Sequence, residues 1–132
     1  MTTEVRYLID SSAVTRLSRP EVAEALSPLV EAGAVATCAV IDLELCSRLR
    51  DPADLAEIKA LRAASFHWLP TTDEDLRRAL EIQALPVEAP WTALVVAAVA
   101  ERHAVTVLHC APAFDRIAEA TGQRAEWAGG RP

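Results

Sequence analysis

The chain has 132 residues, a net charge of −6 and 52% hydrophobic residues, with only four glycines. A chain of this length buries roughly two-thirds of its unfolded surface, so a core forms without disulfide or metal staples. The composition excludes a disordered or linker-like polypeptide. Length argues for one domain over residues 1–132, with 129–132 as a flexible tail. No apolar run reaches the ~18 residues of a membrane span; the longest, Ala93 to Ala100, stops at Glu101-Arg102-His103. Met1 to Arg6 lacks the basic start and apolar stretch of a signal peptide. Cys38, Cys46 and Cys110 are odd in number and have no CxxC spacing, which argues against a disulfide framework and a thiolate zinc site. A cytoplasmic protein with reduced thiols is expected, and no membrane partner. The negative charge argues against broad, charge-driven nucleic-acid binding, yet a carboxylate cluster for a metal would itself lower the net charge.

Val5-Arg6-Tyr7-Leu8-Ile9 is short and β-rich and predicts a buried strand ending at Asp10. Asp10-Ser11-Ser12 then offers three side chains able to cap a helix start. Pro20 suits the first turn of a helix over 21–31, which Gly33 stops. Residues 34–37 predict a second strand, and 38–49 a helix with Ile41, Leu45 and Leu49 at helical spacing. Pro52 opens a helix to about Ser65, and Phe66 to Leu69 predicts a short edge strand closed by Pro70. The acidic run Thr72-Asp73-Glu74-Asp75 suits the positive end of a helix running to about Ala84. Pro86 and Pro90 bracket a loop. A helix over 92–103, a strand over 105–108, a helix from Pro112 to about Ala120 and a terminal strand over 125–127 complete the series. Strands alternating with helices predict an α/β fold, a parallel sheet of four to five short strands covered by helices on both faces. Ligands in such folds bind at the carboxyl ends of the strands, which directs attention to Asp10 and to His109 through Ala113.

Each candidate residue has a plain structural alternative. Asp10 at a strand mouth holds a hard cation or simply caps the helix. Ser12 binds a ligand oxygen or supports that cap. Glu44 is a second acid, or a solvated side chain paired with Arg48 four residues on. Asp42 reads as a surface carboxylate and Arg77-Arg78 as a surface pair. Trp68, Trp91 and Trp127 read as packing residues. His109 and Cys110 are neighbours on an extended segment and point to opposite faces. No GxSxG, phosphate-binding loop or dinucleotide-binding glycine motif occurs.

Two segments, Tyr7 to Ala13 and Val35 to Glu44, together with Ala97 to His109, Phe114 to Ala118, Thr121-Gly122-Gln123 and Glu126-Trp127, resemble the PIN domain of VapC toxins over nearly the whole chain. The resemblance implies a PIN-like fold and a toxin of a type II toxin–antitoxin pair. It further implies a Mg²⁺- or Mn²⁺-dependent endoribonuclease acting on tRNA or rRNA, a homodimer, and a VapB-like antitoxin as partner. By position Asp10 matches the first acid of the family's metal cluster, Glu44 the second, and Ser12 a small polar residue that supports the site. The third acid falls at Ala93 and the fourth in the stretch holding Ala111 and Ala113. Asp115 is a weak substitute, since that family position faces away from the site. The loop from Leu85 to Trp91 is shorter than in close relatives. Mg²⁺ often uses only one or two carboxylates plus substrate phosphates, so Asp10 and Glu44 suffice for one weakly held ion. The alternative implied by the three alanines is a degenerate, catalytically impaired PIN protein that keeps antitoxin binding and dimerisation.

Overall fold

The computed structural model describes residues 4–132, so the reading of Met1 to Thr3 lies outside the described residues. Five short strands form one sheet: β1 (Tyr7–Ile9), β2 (Val35–Thr37), β3 (His67–Trp68), β4 (Thr106–His109) and β5 (Ala125–Trp127). Their order is β3-β2-β1-β4-β5 and every pairing is parallel. Seven helices intervene: α1 (Ser11–Val14), α2 (Pro20–Glu31), α3 (Ala39–Cys46), α4 (Pro52–Ser65), α5 (Asp73–Gln83), α6 (Trp91–Arg102) and α7 (Pro112–Thr121). The chain lays strands outward from β1 to β3, then returns to place β4 on the other side of β1. The direction of winding therefore reverses between β1 and β4, which is where an open α/β sheet forms its ligand crevice.

Side-chain alternation along the strands sorts the core into two layers. Leu8, Ala36 and Val107 face a layer containing Ile41 of α3, Ile82 of α5, the apolar α6 from Ala93 to Ala100, and Phe114 and Ile117 of α7. Ile9, Val35 and Leu108 face the opposite layer, closed by Ala13 of α1 and by Val22 and Leu26 of α2. Helix α6 is buried on every side from Ala93 to Ala100 and packs against α3, α5, α7 and the central strands. That explains why its sequence shows almost no polar face.

Local chemistry sets the helix ends. Gly33 takes φ 72°, its N–H donates to the Val30 carbonyl, and the Ala34 N–H donates to Leu29, the paired bonds that close a helix through a left-handed residue. Asp51 caps α4 through its side chain, with Pro52 at the first helical position. At α5 the Asp75 carboxylate reaches back to the Thr72 N–H at 2.9 Å.

Some expectations need correction. Helix α3 ends at Cys46 rather than near residue 49. Trp68 and Trp91 are 56% and 63% exposed, so only Trp127 packs as expected, against the buried His109 ring at 5.0 Å. Arg77 pairs with Asp73 on the surface, whereas Arg78 reaches across to Glu101 of α6. In the 129–132 segment, Gly129 lies against the backbone of Glu21, and Arg131 pairs with Asp115 at 2.9 Å. Among the described residues no helix is long and apolar enough to cross a membrane.

Candidate acidic site at the carboxyl edge of the sheet

Asp10 stands where β1 gives way to α1. Its N–H donates to the Leu108 carbonyl, which ties this position to the end of β4. Its backbone is extended, and its Oδ2 accepts from the Ser12 N–H at 3.0 Å, so Asp10 does cap α1. Capping uses one oxygen; Oδ1 accepts no hydrogen bond from the described residues. The residue is only 5% exposed. A carboxylate so buried and so lightly bonded keeps a lone-pair set for a cation or a donor arriving from solvent.

Glu44 comes from α3 on the β2 side. Because α3 ends at Cys46, the four-residue spacing to Arg48 is not helical, and no such ion pair forms among the described residues. Glu44 instead faces α1, where the Ser11 hydroxyl lies 3.4 Å from its Oε1, long for a hydroxyl–carboxylate bond. Partial burial, and then the negative charge of Asp10, push the Glu44 carboxyl above the ordinary glutamate range, with Ser11 opposing. The two sequence-selected acids thus lie on either side of α1, near enough for the Asp10 charge to act on Glu44. Two carboxylates that repel one another, one with an open oxygen, suit a hard divalent cation placed between them.

Ser12 is the hinge of the site. Its N–H bonds Asp10, its hydroxyl accepts from the Cys110 N–H at 2.9 Å, and its carbonyl accepts from Arg16. It thereby joins the ends of β1 and β4. Opposite it, His109 is fully buried between Phe114 and Trp127, each 5.0 Å away. Its Nδ1 accepts from the Ala111 N–H at 3.2 Å, which assigns the proton to Nε2, an atom without a partner. Burial holds its pKa below the usual histidine range. This neutral ring shapes the turn leading into α7, a role that chain position alone did not suggest.

The remaining positions contribute no oxygen. Ala93, in the first turn of α6, is 5% exposed and belongs to the core layer with Cys38 and Val40. Ala111 precedes α7 and Ala113 lies in its first turn. Asp115 does not substitute: both its oxygens accept from Trp127 Nε1, and Arg131 pairs with the same carboxylate. No group of three or more His, Cys, Asp or Glu side chains capable of holding a metal occurs among the described residues. Asp42, read as a surface carboxylate, is instead held by Arg62 at 2.8 Å and by the Thr37 hydroxyl at 2.7 Å. Arg62 is a buried cation 20 residues away in sequence, a distance that helical spacing does not reveal.

Comparison with known proteins shows the family and the fold. The PIN-domain family matches residues 7–120. Ribonuclease VapC51 of Mycobacterium tuberculosis is 38% identical over 93% of both chains. Ribonuclease VapC21 of the same species is 37% identical, covering 92% of this chain and 93% of its own. Among solved structures, VapBC2 from Rickettsia felis, bound to a DNA fragment from its promoter, superposes with a TM-score of 0.73 at 10% identity, over 93% of this chain and 98% of that one. DNA-bound VapBC from Salmonella typhimurium gives a TM-score of 0.70 at 16% identity, over 93% and 98%. The chain belongs to the PIN-domain family, in its VapC branch.

Proposed function

We propose that this chain is the toxin of a type II toxin–antitoxin pair, a divalent-metal-dependent endoribonuclease acting on structured RNA of the tRNA or rRNA class. The observation that supports this reading best is Asp10 at the reversal point of the sheet, with one carboxylate oxygen unbonded and Glu44 near enough to feel its charge. Asp10 Oδ1 and the Glu44 carboxylate are the oxygens that would hold Mg²⁺ or Mn²⁺. When bound, such an ion polarises the phosphodiester and lowers the pKa of water beside it. The chain's own residues prepare that site. Ser12 fixes the Asp10 rotamer, Ser11 steers Glu44, and α3 and α1 keep the two carboxylates at one edge. Residues 1–132 act as one PIN-like unit in the cytoplasm, as a homodimer, with a VapB-like antitoxin as its regulator. The exposed Leu43 and Trp68 line an apolar cleft of about 600 Å³ that offers such a partner an apolar contact.

A second reading is favoured by Ala93, Ala111 and Ala113. Two unit charges at 4 Å interact by about 4 kcal/mol at an effective dielectric of 20, so removing two carboxylates from a cluster lowers metal affinity by orders of magnitude. In that reading the protein binds its antitoxin and itself but cuts nothing. Calorimetric titration with Mn²⁺ and Mg²⁺, with Asp10→Ala as control and an RNA cleavage assay alongside, separates the two. Saturable binding that the control loses, with metal-dependent cleavage, supports the enzyme. No binding beyond the control, with cleavage appearing only after Ala93→Asp and Ala113→Asp are introduced together, identifies the impaired form.

A further inference from the structure

The same edge of the sheet carries a second polar feature, on the β5 side of the acids. A cavity of about 330 Å³ opens there, walled by Arg16 and Arg19 between α1 and α2, by Glu21 in the first turn of α2, by Cys110 after β4, and by Trp127 and Arg131. It adjoins the acidic site through Ser12, whose N–H bonds the Asp10 carboxylate while its carbonyl accepts from Arg16 Nη1 at 2.8 Å. The Arg16 guanidinium is therefore anchored one residue's backbone away from Asp10.

The charges of this cavity do not cancel in the usual way. Arg131 is offset by Asp115, and Glu21 adds one negative charge. Arg16 and Arg19 have no carboxylate partner among the described residues. Burial pushes the Cys110 thiol up while Arg16 and Arg19 pull it in the opposite direction, so both cations act on this wall. Other arginines also lack a carboxylate partner among the described residues, but Arg16 and Arg19 share the wall of one cavity, and Arg16 is bonded to Ser12, whose N–H donates to Asp10. Guanidinium groups match phosphate oxygens through paired N–H donors. A nucleic-acid strand repeats its phosphate at every nucleotide. A strand with one phosphate at Asp10 and Glu44 must therefore present another along the same edge.

We infer that Arg16 and Arg19 form an RNA-phosphate site that seats the backbone beside the scissile bond and fixes its register across Asp10 and Glu44. The inference rests on the ribonuclease reading for the identity of its ligand, but its test needs neither metal nor cleavage. A fluorescein-labelled 2′-O-methyl RNA strand, which cannot be cut, is titrated in EDTA across a salt series and followed by anisotropy. The combined change Arg16→Gln and Arg19→Gln is expected to weaken binding about tenfold at low salt and to reduce the slope of log affinity against log salt by about 1.4, the share of two single-strand phosphate contacts. Asp10→Asn binds at least as tightly as the unaltered protein, and Arg50→Gln, outside the cavity, leaves affinity and slope unchanged. Because Arg16 also bonds Ser12, Arg19→Glu alone serves as a second variant; its side chain holds nothing else in place, and it must weaken binding too. Unchanged affinity and slope in these variants overturn the inference. So does an unaltered protein with no salt-dependent RNA binding, or a loss of antitoxin binding with RNA binding intact. An absence of cleavage in the metal-loaded protein would sink the enzymatic reading while leaving this measurement standing.

Discussion

Helix α3 delivers Glu44, and an ion pair in the interior holds α3. Arg62 of α4 is 7% exposed. Its Nε donates to Asp42 Oδ1 at 2.9 Å and its Nη2 to the Thr37 hydroxyl at 3.0 Å, while the guanidinium lies 4.9 Å above the centre of the Phe66 ring. Arg62→Met keeps most of the side-chain volume and removes the charge. Stripping one partner from a fully buried pair costs roughly 3–5 kcal/mol. The Asp42 side chain is 26% exposed and regains some hydration, which places the cost near the lower end, about 3 kcal/mol. An unfolding entropy of about 2.1 cal/mol/K per residue converts this to a fall of about 10 °C in Tm. Calorimetric melting of Arg62→Met, Asp42→Asn and the double variant tests the assignment. The double variant should lose about 2 kcal/mol less than the sum of the single changes. A melting point for Arg62→Met within about 2 °C of the unaltered protein, or strict additivity in the cycle, would refute the view that this pair holds α3 in place.

Two further outcomes follow from single contacts. Asp75 is 1% exposed; burial raises its pKa, but the Arg102 guanidinium and the Thr72 N–H outweigh burial and hold the carboxyl below the usual aspartate range. A depressed folded pKa stabilises above the unfolded value, about 3.9, and that stabilisation is lost as pH falls through the folded value. Asp75→Asn should therefore be less stable at pH 7 by about 2 kcal/mol, within the range for hydrogen bonds to a charged group, with the gap closing under strongly acid conditions; an equal gap at both pH values contradicts the ion-pair account. Gly129 and Gly130 both have positive φ, but a Cβ at Gly129 would lie 2.9 Å from the Glu21 carbonyl carbon and oxygen, whereas one at Gly130 meets nothing within 4 Å. Gly130→Ala should cost about 1 kcal/mol, the backbone strain alone, and Gly129→Ala clearly more; equal melting points would show that the tail does not pack on α2.

The order of elements was legible because the punctuation was local. Pro52 and Ser65 bound α4 as expected, and Ala125 to Trp127 form β5, because proline, capping residues and β-rich triplets act within a few residues of themselves. Asp10 was legible for the same reason: a carboxylate directly after a buried parallel strand has only the carboxyl edge to occupy. Glu44 was legible as an acid but not as a partner of Ser11, since that contact spans 33 residues. Asp42 and Arg62 show the limit most clearly. Each reads alone as a solvated charge on a helix, and only the packing of α4 over β2 and α3 turns them into a buried pair. Trp68 and Trp91 fail in the other direction. Their size suggests burial, but β3 is a two-residue edge strand and Trp91 opens its helix, so neither has a second layer to enter.

The three alanines, which the resemblance sets at acidic positions, bear on stability as well as on the proposed metal binding. Partial burial, and after it the Asp10 charge, raise the Glu44 pKa, so the two acids repel across α1. Further carboxylates at Ala93 and Ala113, which are 5% and 7% exposed, would add desolvation to that repulsion, and only a bound cation would offset it. A two-acid edge lowers that cost and with it the attraction for the ion. Under the proposed ribonuclease function, what remains to hold a polyanionic strand is then the positive charge on the far side of Ser12. On that reading the acids and the arginines are two halves of one edge, and weakening the first makes substrate positioning depend more heavily on the second.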